Sequence, residues 1–135
     1  MLTRKEQAKQ LREWFRVMGF KPITVHDLHY EGTTTCLAYD PGTDRVVARG
    51  LAIKSPADQT HYNEGIVRAM ARARRAIQKE KNSEPIQTSR YQGTREHYRY
   101  RDLAELYDYK STFSCRLTSE EQKLVKEFKE KVTDA

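Results

Sequence analysis

The fold is decided between residues 33 and 53, which read TTTCLAYDPGTDRVVARGLAI. Two runs that contain β-branched residues, 33–40 and 45–53, flank the segment 40–44. In that segment a proline presets one turn dihedral and a glycine accepts a positive one, so the two runs predict a hairpin. A further run of strand character, 23–30, precedes it. The sequence therefore predicts three antiparallel strands at 23–30, 33–40 and 45–53.

Amphipathic helices are predicted on both sides of these strands. The first spans 3–19, with Thr3 as its cap and Gly19 as its end. The second spans 55–81, because a serine and a proline at its start suit the cap and the first helical position. A third begins with another capping box at 118. Its expected buried positions are Leu124, Val125 and Phe128.

The predicted fold class is α+β. An N-terminal helix, a three-stranded antiparallel sheet and a long helix packed on the sheet form an α-β-β-β-α core in residues 1–81. Residues 82–117 form a polar connection with a basic aromatic segment, and residues 118–135 form a C-terminal helix. Because 135 residues suit one hydrophobic core, we expect a single domain overall.

The positive charge of the chain is concentrated in its middle. The formal net charge is +6, and residues 59–101 alone carry ten Lys or Arg against four Asp or Glu. A concentrated basic block is typical of proteins that bind nucleic acid or a ribonucleoprotein. The charge distribution therefore predicts an anionic partner.

Four basic residues of the second helix, Arg68, Arg72, Arg75 and Lys79, recur at i, i+4, i+7 and i+11. This spacing places them on one outward stripe of the helix. Guanidinium groups bind phosphate oxygens in pairs and stay charged at every physiological pH, so the stripe predicts a phosphate-binding face. The same pattern is also typical of a solvated helix face.

A second set of predicted binding residues follows in the connection, where Arg95, Tyr98, Arg99, Tyr100 and Arg101 alternate basic and aromatic side chains. Tyrosines stack on unpaired bases while arginines hold the backbone, which suits single-stranded or RNA targets. The alternative is a strand that packs Tyr98 and Tyr100 into the core from one face.

The order helix, three antiparallel strands, helix over residues 3–81 resembles the topology of double-stranded-RNA-binding domains. The resemblance covers somewhat more than half of the chain and implies RNA binding. That family holds phosphates with lysines clustered at the start of its second helix. Here Lys54 is followed by the residues SPAD at 55–58.

A second set of residues runs from the third strand into the second helix: Gly50-Leu51-Ala52, Ser55-Pro56, Asp58, Gly65, Ala69 and Arg72-Ala73. In these residues the chain resembles small proteins of bacteriophages and other mobile elements. The resemblance implies a short accessory protein that acts on host nucleic-acid machinery or on a defence complex. The alternative function is then a protein-binding inhibitor of a host defence nuclease, of the anti-CRISPR kind.

The sequence shows no pattern of catalytic or cofactor chemistry. His26 and His29 would point to opposite faces of a strand, and Cys36 and Cys115 stand alone in their segments. No glycine-rich phosphate loop follows a strand. We therefore expect a protein that is not an enzyme and has no metal or cofactor. No membrane-spanning run or secretory signal is found, so we expect a cytoplasmic protein without a membrane partner.

Overall fold

The computed structural model of the protein describes residues 2–53, 62–84 and 115–133. The chain forms an N-terminal helix, a three-stranded sheet and then further helices, so the predicted α+β class is confirmed. The described elements are α1 (Arg4–Met18), β1 (Lys21–His26), β2 (Thr33–Asp40), β3 (Arg45–Ile53), α2 (Tyr62–Gln78) and α3 (Ser119–Thr133).

The ends of α1 follow from two local signals. The side chain of Thr3 accepts a hydrogen bond from the backbone N–H of Glu6 at 3.1 Å, which satisfies one of the donors left open at a helix start. Gly19 takes a left-handed conformation with φ of 87°, and its N–H donates to the carbonyl of Arg16 at 3.1 Å. Both predicted helix boundaries are confirmed.

The sheet has the order β1-β2-β3, and both neighbouring pairs are antiparallel. The hairpin predicted between β2 and β3 is confirmed, with an irregularity in register between Ala38 and Tyr39. The first strand begins at Lys21, two residues before the predicted 23–30, and ends four residues before the predicted end. It ends at His26 because Asp27 has a positive φ of 58°, and the Asp27 carboxylate accepts the N–H of Gly32 at 2.8 Å to close the loop.

Helices α1 and α2 pack together on one face of the sheet. Small side chains at the contact allow α2 to lie close to β3: a Cβ added at Gly50 would overlap the carbonyl oxygen of Ala69 and lie 2.5 Å from the amide nitrogen of Ala73. This close approach fixes the position of α2, and therefore the positions of its arginines. The buried contact residues include Cys36, Ala38, Ala48, Ala52, Ala69, Met70 and Ala73.

Replacing Gly50 with alanine is expected to lower the free energy of unfolding by about 1–3 kcal/mol, because the added methyl group forces α2 away from the sheet. Urea denaturation followed by circular dichroism measures this loss. The control is Gly42→Ala in the β2–β3 turn, where the added Cβ meets only the Asp40 carboxylate. If both variants are as stable as the natural protein, α2 does not pack as closely against β3 as described.

Helix α3 covers the other face of the sheet, so the sheet lies between two helical layers. Val125 packs in a second apolar cluster with sheet residues, and Leu124 and Phe128 pack against that cluster. The ring of Phe128 meets the ring of Tyr39 edge-on, with 6.1 Å between centroids. Of the three predicted buried positions of this helix, Val125 is buried, whereas Leu124 and Phe128 are partly buried. The sheet residues of the cluster are Ile23, Leu37, Tyr39 and Val46.

The chain after α2 returns along β3. The carbonyl of Asn82 accepts the N–H of Arg49 at 2.9 Å, and Ser83 forms a parallel bridge with the same residue. Helix α2 ends at Gln78, three residues before the predicted end, and Glu80 has a positive φ of 57°. The predicted start of this helix at 55 and most of the predicted connection lie outside the described residues. No helix within the described part of the chain is both long and apolar enough to cross a membrane.

Candidate nucleic-acid interface

A groove of about 530 Å³ runs between α1 and α2 on the outer side of the helical layer. Arg4 of α1 contacts Glu64 of α2, and Trp14 of α1 contacts Arg74 of α2, so the two helices run in the same direction along the groove. The apolar side chains of Leu11, Val67 and Ala71 form its floor. Five arginines line it and none of the described lining residues is acidic; the arginines are Arg4, Arg68, Arg72, Arg74 and Arg75.

At one end of the groove, two arginines form ion pairs with a single carboxylate. Oε1 of Glu64 lies 2.7 Å from Nη2 of Arg68 and 3.3 Å from Nη2 of Arg4. The Glu64 side chain is 19% exposed, whereas those of Arg68 and Arg4 are 41% and 50% exposed. The carboxylate therefore orients both guanidinium groups while leaving them open to a further anion.

The middle of the groove is formed by Arg72 and Arg75. Nη1 of Arg72 donates to the carbonyl of Leu51 at 2.5 Å, and the side chain is partly buried. Arg72 therefore lines the groove together with Arg68 and Arg75, but its guanidinium also bonds to β3. Its side chain reaches back to β3 because α2 lies so close to that strand. Arg75 is exposed at the edge of the groove, as the helical spacing predicts.

The other end of the groove combines a cation with an aromatic ring. The guanidinium carbon of Arg74 lies 5.9 Å from the centroid of the Trp14 ring, within the range of a cation–π contact. Trp14 is partly buried and meets Phe15 edge-on, with 5.1 Å between ring centroids. The core therefore supports one part of the indole while Arg74 covers another.

The predicted stripe and the groove overlap without being identical. Arg68, Arg72 and Arg75 line the groove, whereas Lys79 lies outside it and pairs with Glu84 at 3.1 Å. Sequence reasoning missed Arg4 and Arg74, because a stripe on one helix does not show which neighbouring helix forms the opposite wall. The other predicted binding residues, Arg95, Tyr98, Arg99, Tyr100 and Arg101, lie outside the described residues and stay predictions.

A second charged cluster is buried on the opposite face of the sheet. Nη1 of Arg49 donates to Oε1 of Glu121 at 2.5 Å and to the carbonyl of Arg116 at 3.0 Å. Nε2 of His29 lies 3.6 Å from the other oxygen of Glu121. The side chains of Arg49, Glu121 and His29 are only 2%, 0% and 6% exposed. The cluster therefore ties α3 to β3 and to the β1–β2 loop.

Opposing effects act on the pKa of Glu121. Burial alone would raise that pKa, but the contact with His29 and the charge of Arg49 outweigh burial and hold the pKa below its usual value of 4.5. The carboxyl group is therefore ionised near neutral pH. It also completes the predicted capping box, because Oε1 accepts the N–H of Thr118 at 2.9 Å and the Thr118 hydroxyl accepts the N–H of Glu121 at 3.1 Å.

The cysteines at 36 and 115 and the histidines at 26 and 29 lie in separate environments. Burial raises the pKa of Cys36 and of Cys115 to about 12, so both thiols are protonated near neutral pH. The two histidines predicted to diverge are separated: His26 contacts the Thr34 hydroxyl, with 2.8 Å between Nδ1 and Oγ1, whereas His29 contacts Glu121. Within residues 2–53, 62–84 and 115–133, no group of three or more His, Cys, Asp or Glu is placed to hold a metal ion.

Comparisons with known proteins give no relative from which a function can be transferred. No family model, no curated protein and no solved structure matches the chain.

Proposed function

We propose that the protein binds nucleic acid through the groove between α1 and α2, chiefly by contacts to phosphates. The observation that carries the proposal is the convergence of five arginines on one groove, two of which share the carboxylate of Glu64 at its end. Each guanidinium can hold two phosphate oxygens, and each phosphate it neutralises releases a counterion into solution. Binding of this kind depends little on base sequence.

The groove differs from an ordinary solvated helix face in two respects. Its arginines come from both walls, since Arg4 is more than sixty residues before the others in the chain. Its floor is apolar at Leu11, Val67 and Ala71, which gives sugars and bases a surface to contact. Both respects favour a ligand that is anionic along one edge and apolar in its body.

Glu64 is expected to compete with phosphate for Arg4 and Arg68. Glu64→Gln removes the negative charge and should tighten the binding of a fluorescein-labelled oligonucleotide by about threefold to tenfold at low salt. Fluorescence anisotropy measures the dissociation constant, and circular dichroism checks that α2 keeps its helix content. The effect should shrink as salt is added, because added ions screen the same charges.

The matched control is Glu84→Gln, which removes a carboxylate that pairs with Lys79 outside the groove. Both variants raise the net charge by the same amount, so a purely global effect of charge would tighten binding equally. Equal tightening by the two variants, or weaker binding by Glu64→Gln, would count against the groove as the binding site.

A further inference from the structure

We infer that the groove receives an unpaired nucleic-acid strand and that a base at its end stacks on the pair formed by Arg74 and Trp14. The inference rests on the proposed function and specifies its ligand. It differs from what the resemblance to double-stranded-RNA-binding domains implies, namely a paired strand. Comparing the affinities for an unpaired strand and for a duplex distinguishes these two ligands.

The width of the groove is the first argument. Two helices in contact have axes about 8–10 Å apart, so the trough between them is only a few ångströms wide. The major groove of a B-form duplex alone is about 12 Å wide, and the whole duplex is wider still. A duplex would therefore rest on the rim residues and leave the floor at Leu11, Val67 and Ala71 empty. An unpaired strand can enter the trough and cover the floor.

The depth of the arginines is the second argument. Arg75 is exposed at the rim, whereas Arg68, Arg72 and Arg74 are all partly buried. A backbone held only by rim contacts would chiefly use Arg75. Arginines at two depths suit a strand that enters the trough, with phosphates near the rim and sugars and bases nearer the floor.

The pair formed by Trp14 and Arg74 is the third argument. Arg74 lines the groove, and its guanidinium carbon lies 5.9 Å from the centroid of the Trp14 ring, so the indole lies behind Arg74 at this end of the trough. From Glu64 to Arg74 the helix rises about 15 Å, enough for about four stacked nucleotides at about 3.4 Å each. Indole and guanidinium planes are both stacking surfaces for unpaired bases. In a duplex the bases already stack on each other and are not available to the ring.

The test compares an unpaired strand of about 12 nucleotides, thymidine for DNA and uridine for RNA, with a hairpin duplex of about 12 base pairs of the same nucleic acid, all at low salt. Trp14 is the only tryptophan of the chain, so its emission reports on this end of the groove. We expect the unpaired strand to bind at least about 10-fold tighter and to quench Trp14, while the duplex leaves the emission unchanged. Equal affinity for both forms without quenching would overturn the inference and leave the proposed function standing. No binding of either form would overturn both.

Two variants locate the stacking site. Arg74→Gln should weaken binding of the unpaired strand by about threefold to tenfold and reduce the quenching, with no change for the duplex. Trp14→Phe should weaken the unpaired strand by about tenfold. Because Trp14 also packs on the core, its circular dichroism and melting temperature are compared with those of the natural protein. Equal losses for strand and duplex in both variants would contradict the stacking role.

Discussion

Replacing Glu121 with alanine is expected to lower the free energy of unfolding by about 3–5 kcal/mol. The substitution leaves the charge of Arg49 buried without the carboxylate that balances it, and such a charge is far more costly than an exposed one. It also removes one half of the capping box at the start of α3. Urea denaturation followed by circular dichroism measures the loss.

The control for this prediction is Glu120→Ala, which removes an exposed carboxylate from the same turn of α3. It should cost less than about 0.5 kcal/mol. A double variant, Arg49→Met with Glu121→Leu, should recover most of the lost stability, because an apolar pair of similar volume avoids the desolvation of both charges. The account of this cluster fails if Glu121→Ala and Glu120→Ala unfold at the same urea concentration.

The pH dependence of this cluster follows from the lowered pKa of Glu121. A carboxyl whose folded pKa lies below its unfolded value adds stability above the unfolded value, and that stability is lost as the pH falls through the folded pKa. The contribution of Glu121 should therefore be complete above about pH 5 and decline in more acidic solution. The difference in stability between the natural protein and Glu121→Ala should narrow over the same range.

Local signals were sufficient to predict most of the described fold. Thr3 and Gly19 set the ends of α1, and the proline and glycine of residues 40–44 set the hairpin, because each acts on its immediate neighbours. The end of β1 was not predictable in this way. It depends on the hydrogen bond from the N–H of Gly32 to the side chain of Asp27. Aspartate adopts the left-handed conformation more readily than most residues, but no pattern in the sequence shows that Asp27 does so.

The candidate site was predictable only on one of its two helices. The spacing of Arg68, Arg72 and Arg75 identifies a stripe on α2, because helical periodicity is a property of one segment. The contribution of Arg4 depends on how α1 packs against α2, which no pattern within either helix gives. The inward turn of Arg72 depends on the close approach at Gly50. Both facts require the tertiary structure.

The sequence predicts one of the two roles of Glu121. The capping box at residue 118 predicts Glu121 as a capping residue, and it performs that role. Its partner Arg49 lies seventy-two residues earlier, in the middle of a strand whose other described positions are mostly apolar. A charged residue in such a strand requires a buried partner, because a lone buried charge is too costly. The sequence thus shows that a partner is needed but not which residue supplies it.

Reversing the charge at two positions of the groove, Arg68→Glu with Arg75→Glu, is expected to weaken the binding of an unpaired strand by about 100-fold or more at low salt. Two guanidinium contacts are lost, and two carboxylates then repel the phosphates. Arg72 is left in place because its bond to the Leu51 carbonyl supports the packing of α2 on the sheet. Fluorescence anisotropy with the labelled thymidine strand measures the change.

The control is Lys123→Glu with Lys131→Glu, two exposed lysines of α3 on the other side of the sheet. Both double variants lower the formal net charge from +6 to +2. Any loss of affinity that comes from net charge alone should therefore be equal in the two. The difference in affinity between the two double variants therefore measures the contribution of the groove arginines.

The central claim, that the groove between α1 and α2 binds the phosphate backbone, is tested most directly by the salt dependence of binding. The logarithm of the association constant is measured against the logarithm of the salt concentration for the natural protein and both double variants. Five arginines on an unpaired strand predict a slope between about −2 and −3.5. The slope should be shallower by about one to two for Arg68→Glu with Arg75→Glu and nearly unchanged for the α3 control. Equal slopes and equal affinities for the two double variants would contradict the account.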